Sequence, residues 1–427
     1  MEDIRNRLLY SRCDDEPSVY GFHAFQEALD TAYELKDAGP EGIVAAYSML
    51  NEHATAPQTT YQAIRREFLT GEYFRYLDQL DTTHDRIGPR QDALGRAADH
   101  FEQGARLAKS VHDWALLEQL KTLERAVCLG SKLSRKRFRR AYAAAREALA
   151  AWHKLPVWDD TLFRLHHFEL TDYLAGIAEA VGEDREAFEA LELAGFILSL
   201  VQDRPDLDTR AFKRYLLYLD WDWATLYWSL GFDRLAFRHV RLARHHSRDG
   251  LSAINQVRLP HMIATIALDC AENSQTLNIS GYSRERLLAL ADAALDDAFA
   301  HWEACNDRAG YALTLLAEAK WLGLKNRTDG RSEKIEKARA IAHEVNDLGL
   351  VAKVDIALGD EFAFKRQTQS ARECYLKAER RMADVGFEEI ARVARRRLER
   401  LPQPRRSTRQ RQLLPDISQF AGDYSPN

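Results

Sequence analysis

Apolar residues recur at three- and four-residue intervals from about residue 21 to about 400, and alternation with a period of two is nearly absent. This spacing lines apolar side chains along one face of successive α-helices, so it predicts an all-α protein. Short polar or glycine-bearing stretches break the pattern, among them Gly39-Pro40, Thr82 to Pro89, Gly182 to Asp184, Gly231 to Asp233, Asn273 to Ser283 and Lys325 to Arg331. Several place Asp, Ser or Asn just before the next apolar pattern, where a side-chain oxygen can cap free backbone N–H groups. Helix, short turn, helix is the unit that recurs.

Aligned on these turns, three stretches share one pattern. A small residue (Ala187, Ala236, Ala371) is followed four positions on by a larger apolar one (Leu191, Val240, Tyr375) and three further by another small one (Ala194, Ala243, Ala378). The helix ahead of each carries a large residue, a small one, and an apolar one three on: Leu174, Ala175 and Ala178; Trp223, Ala224 and Tyr227; Leu358, Gly359 and Phe362. Small residues let paired helices approach closely, and the larger ones fill the groove to the next unit. Weaker echoes are Ala291, Leu295 and Ala298, then Ala338 and Ala342, and Ala141, Ala145 and Ala148.

The pattern resembles the tetratricopeptide repeat family, with its large-small-aromatic first helix and small-aromatic-small second helix. The match is good over 352–385, fair over 168–198 and 217–247, and degenerate elsewhere. The resemblance implies an α-solenoid of antiparallel helix pairs wound as a right-handed superhelix, with ligand held on the concave face formed by first helices. Two departures point to a divergent, long-helix version. The units are unevenly spaced, from 33 residues (Ala338 to Ala371) to 55 (Ala236 to Ala291), against a family period of about 34. The consensus proline after the second helix is also missing. Residues 1–90, helical without a clean repeat, are expected to form an N-terminal cap or small bundle; 91–400 form the solenoid; 401–427, rich in Pro, Arg, Gln and Ser, form a flexible basic tail.

Composition narrows the function more than the fold. A formal net charge of −5 argues against a protein built mainly to coat nucleic acid. The five cysteines are scattered without a C-x-x-C spacing, which predicts neither a disulfide framework nor a zinc site and fits a reducing cytoplasm. A charged N-terminus and the lack of a long apolar run predict a cytoplasmic protein without a membrane span. Phosphate-binding glycine loops, the zinc-protease H-E-x-x-H and the G-x-S-x-G nucleophile turn are absent. No catalytic, metal or cofactor role is therefore expected. Asp220 and Asp222 make a D-x-D and the neighbours His245-His246 a histidine pair, but both fall within helical patterns that do not converge on one ion.

The expected activity is binding of another protein or a peptide, as a scaffold or adaptor. On the concave-facing positions that the resemblance implies, Tyr218, Trp221, Thr225 and Trp228 form one helical stripe, and Glu169, Asp172 and Glu179 an acidic set beside it. Together they would suit a basic or amphipathic peptide; burial of the aromatics in the core is the competing reading. Nucleic acid is the alternative partner. Arg135, Lys136, Arg137, Arg139 and Arg140 form one basic run, and Arg392 to Arg411 holds nine arginines against one acid. Residues 42–69 read loosely as a helix-turn-helix that offers Gln62, Arg65 and Arg66 to DNA, as in a ligand-sensing transcriptional regulator. Solenoids also pair through their end units, which leaves a homodimer open.

Overall fold

The computed structural model describes residues 40–52, 60–79, 93–108, 135–153, 161–247, 253–273, 281–305 and 308–402, apart from 206, 208, 328 and 346, with isolated positions between 28 and 35. Every regular element among them is a helix: α1 Pro40–Glu52, α2 Thr60–Gln79, α3 Ala93–Ala108, α4 Arg135–Trp152, α5 Thr161–Val181, α6 Asp184–Ser199, α7 Thr209–Leu230, α8 Asp233–His246, α9 Ala253–Glu272, α10 Arg284–Cys305, α11 Arg308–Leu324, α12 Arg331–Glu344, α13 Leu348–Phe364, α14 Thr368–Val385 and α15 Glu388–Arg400.

Helices α5 to α14 form five pairs, each packed most closely on its own partner, so the fold is an α-solenoid of tetratricopeptide-like helix pairs. The small residues that mark the repeat are its innermost atoms. Ala187, Ala194, Ala236, Ala243, Ala371 and Ala378 are all fully buried, with Leu191, Val240 and Tyr375 between them. The first-helix glycine has the same reason. A Cβ at Gly359 would collide with the Tyr375 ring, so only glycine lets α13 and α14 meet there. In the pair α7–α8 the large positions are aromatic. Trp223 and Tyr227 stack at 5.2 Å and both meet Phe188 of α6, at 5.5 and 5.6 Å. Long helices account for the uneven period, since α5, α7 and α10 run 21, 22 and 22 residues.

The N-terminal helices build a core of their own from Ala46, Leu50, Phe68, Phe74, Ala97 and Phe101. The last two belong to α3, beyond the boundary near residue 90 that the sequence suggests. Within this core, Gln62 is fully buried and Arg65 only 8% exposed. Two of the three residues expected to read DNA thus face the packing of α2, because the apolar stripe of this helix includes Ile64, Phe68 and Leu69 and turns them inward, and the third, Arg66, is half-buried. The helix-turn-helix reading fails at that point; the turn between α1 and α2 lies outside the described residues.

First helices touch one another in sequence, α5 with α7, α9 with α11 and α11 with α13, and form one layer. The last described helix lies across it. Helix α15 packs on α13 and α14 and also on α5 and α7, four and three pairs earlier. A helix of 13 residues is only about 20 Å long. The first-helix layer must therefore curve inward, and α15 spans the curve.

Candidate functional site

Helix α15 has an apolar face, Ile390, Ala391, Val393 and Ala394, all buried. Its other face is arginine, and those arginines address the ends of first helices. Glu179 and Trp228 occupy equivalent places in α5 and α7: the carbonyl of each accepts the N–H of the glycine that ends its helix, Gly182 at 3.1 Å and Gly231 at 3.0 Å. Each carbonyl also accepts from α15, Glu179 from Arg392 at 3.0 Å and Trp228 from Arg396 at 2.7 Å. Arg392 further pairs with Asp184 at 2.8 Å. Helix C-termini carry partial negative charge on unsatisfied carbonyls, so guanidinium groups are the natural complement.

At the next residue, Arg397 enters a largely buried ion network, of which Glu272 is the exposed member. Its guanidinium lies 2.8 Å from Asp269, 2.7 Å from Glu272 and 3.6 Å from Asp360. Asp269 also pairs with Lys320 of α11 and accepts from the Trp228 indole N–H at 2.7 Å; Lys320 pairs with Glu272 at 2.9 Å. Asp360 accepts from the Tyr375 hydroxyl at 2.6 Å. Burial would raise the Asp269 carboxyl, but the Lys320 and Arg397 charges and the bonds from Lys320 and Trp228 outweigh it and hold the group well below the usual range. The same balance of burial against Lys320 and Arg397 brings Glu272 down to about 2.

Beside this network the first helices line an open cleft with a cavity volume of about 120 Å³. Leu268, Leu313, Leu316, Ile356 and Ala357 make it mainly apolar; Trp228, Asp269, Lys320, Asp360 and Arg397 line it as polar groups, and Val393 of α15 closes part of its wall. His261 and Lys353 line it as well. Burial, and then the Lys353 charge, push the His261 imidazole down to about 3, so the ring is neutral at pH 7. Among the described residues no donor or acceptor meets its Nδ1.

Of the seven residues that the sequence nominates for partner binding, Trp228 lines this cavity. Glu179 lies buried near Arg392 and Glu389 of α15. Trp221 and Tyr218 are half-buried, the former against the core of α8 to α10; the Thr225 hydroxyl donates to the Trp221 carbonyl at 3.1 Å. Glu169 accepts from Tyr215 at 3.1 Å, and Asp172 is half-buried on the same helix. None of these five lines the cavity. Asp220 of the D-x-D is held by His239 at 2.8 Å and His246 at 3.3 Å, and no group of His, Cys, Asp and Glu among the described residues could hold a metal ion.

The basic runs separate. Arg135 to Arg140 open α4, where Arg139 is exposed; the other four side chains lie outside the described residues. The run from Arg392 is different, because Arg392, Arg395, Arg396 and Arg397 are engaged within the fold. Their carboxylate and carbonyl partners already use the charge. Most of the 401–427 tail lies outside the described residues. What sequence reasoning missed were Asp269, Lys320, Asp360 and Arg397. Only Asp269 carried a signal, a lone charge inside the apolar run 263–271; Lys320, Asp360 and Arg397 stand beside other charges and carried none.

Glu179 allows a direct check on α15. Burial first, and then the Glu389 carboxylate, raise its carboxyl well above the ordinary value, against the Ser229 hydroxyl and Arg392. A raised carboxyl keeps its proton when folded and loses it when unfolded, so it costs stability as pH rises above the unfolded value near 4.3. Glu179→Gln is therefore expected to be more stable than the wild type at pH 7 and equal to it at pH 4, as read by urea unfolding at the two pH values.

No family model matches the sequence, and no curated protein matches it. Among solved structures, a Rap protein complexed with competence and sporulation factor is 13% identical, with a TM-score of 0.48, over 88% of this chain and 96% of that one. The apo form of RapI is 14% identical with a TM-score of 0.45, over 93% and 91%. Aspartyl phosphate phosphatase F from Bacillus subtilis is 13% identical with a TM-score of 0.41, over 97% and 100%. At these scores none of the three decides the fold or chemistry of this chain, which rest on its own geometry. No described helix is long and apolar enough to cross a membrane.

Proposed function

We propose that this chain is a binding protein rather than an enzyme, a scaffold or adaptor whose curved first-helix layer holds a peptide or a short segment of a partner protein. The observation that carries the reading is the mainly apolar cleft of about 120 Å³ beside α15, whose lining also includes Trp228, Asp269, Lys320, Asp360 and Arg397. Apolar side chains of a partner would supply affinity by leaving water, while Trp228, Lys320 and Lys353 would fix its orientation. The polar groups of the network are already paired with one another, so they are suited to shaping a wall and not to proton transfer or nucleophilic attack.

A peptide-display selection on the intact protein, followed by a cavity-filling substitution, tests this. Leu316→Trp is expected to weaken the selected peptides at least tenfold with the helical circular dichroism unchanged. Peptides that bind Leu316→Trp as tightly as the wild type would move the site away from the cavity and overturn the reading.

A further inference from the structure

Helix α8 carries a second surface, on the side of the solenoid away from the first-helix layer. At 100° per residue, Arg234, Arg238, Arg241 and His245 fall within about 60° of arc on one face. All four are exposed, and so are Leu235 and Leu242, each 38%, which flank the stripe. Among the described residues, Arg234, Arg238 and Arg241 make no hydrogen bond and no ion pair; the Arg241 guanidinium lies over the Tyr282 ring at 5.1 Å. Arg244, on the border of the stripe, reaches Asp297 at 3.7 Å. A groove opens alongside, lined by Arg238, Arg241, Arg244 and His245 together with Leu242, Ile263, Tyr282 and Leu290.

A helix face made of unpaired arginines is held apart by its own repulsion. Exposed charges repel weakly in water, but here they converge on a groove whose floor is apolar, and the leucines beside them gain nothing from solvent. We infer that this face of α8 is a docking surface for an acidic, amphipathic protein segment, whose carboxylates meet Arg234, Arg238 and Arg241 and whose apolar side chains cover Leu242 and Leu290. Bidentate guanidinium–carboxylate pairing gives such contacts direction as well as charge. A polyphosphate backbone would use the arginines but leave the apolar side chains of the groove uncovered. The surface is separate from the first-helix cavity, so it stands or falls independently of the function proposed above.

The test uses the full chain and a fluorescent synthetic helical peptide of Glu and Leu, with Glu at three- and four-residue intervals, read by anisotropy. Binding is expected to weaken as salt rises, and R238E/R241E is expected to weaken it at least tenfold. Both positions are exposed, so the circular dichroism and thermal midpoint should not move; R238Q/R241Q, with an expected loss of about threefold, serves as the milder variant should the double reversal fail to fold. Leu316→Trp, which fills the cavity, should leave this affinity unchanged. Absence of peptide binding, or equal binding by the double variants, overturns the inference. So does tighter, Arg238-dependent binding of a single-stranded oligonucleotide, which would make the ligand nucleic acid instead.

Discussion

Arg397→Met is expected to destabilise the protein by about 3–5 kcal/mol, the cost of removing one partner from a buried ionic cluster. The side chain is 11% exposed and faces three carboxylates, Asp269, Glu272 and Asp360. Without it, Lys320 is the remaining cation paired with Asp269 and Glu272. Methionine fills a similar volume, so the effect isolates charge from packing. The pH dependence gives the sign. Asp269 and Glu272 are held below their ordinary values, so the stability they contribute is fully present above the unfolded values near 4 and is lost as pH falls toward the folded value, about 2 for Glu272. The gap between wild type and variant, measured by urea unfolding, should be full at pH 7 and narrow between pH 4 and pH 2. Adding Glu272→Gln to the variant should recover part of the loss. A gap that stays constant down to pH 2 would mean that Arg397 acts by packing.

The contrast between Ala236 and Arg397 shows which parts of this molecule can be read from one sequence. Ala236, Val240 and Ala243 follow the helical period, and their burial follows from local spacing; each pair of helices repeats that local logic. The clustering of Asp269, Lys320, Asp360 and Arg397 depends on the curvature of the whole layer, which sums small rotations over five pairs. Nothing in the local pattern fixes that sum. An arginine-rich helix of composition EEIARVARRRLER reads as a solvated face by charge alone, because its acceptors are backbone carbonyls more than 160 residues away in sequence. The aromatic stripe of α7 divided for the same reason. Trp228 reaches the cavity because it stands at the end of its helix where α15 crosses, whereas Trp221, two turns earlier, meets the core of the next pairs.

Gly231 is where the repeat and the crossing helix constrain the same atom. It ends α7 with φ of 85°, a region that an L-residue enters at a cost of about 1–2 kcal/mol. A Cβ there would also stand 2.5 Å from Arg396 Nη1. The guanidinium could avoid it only by leaving the Trp228 carbonyl, and a hydrogen bond from a charged donor contributes about 1.5–3 kcal/mol. Gly281 supplies the control, with a similar φ of 79° and nothing within 4 Å of its Cβ position. Gly231→Ala should therefore cost about 3 kcal/mol and Gly281→Ala about 1 kcal/mol, with the difference arising from α15 alone. Hydrogen exchange separates the two causes. Amides of α15 should lose protection selectively in Gly231→Ala and keep it in Gly281→Ala, because only the first substitution pushes on the helix that spans the curve. Equal costs with α15 protected in both variants would show that Arg396 moves aside freely and that α15 is held by its apolar face, Ile390 and Val393, rather than by the helix ends it covers.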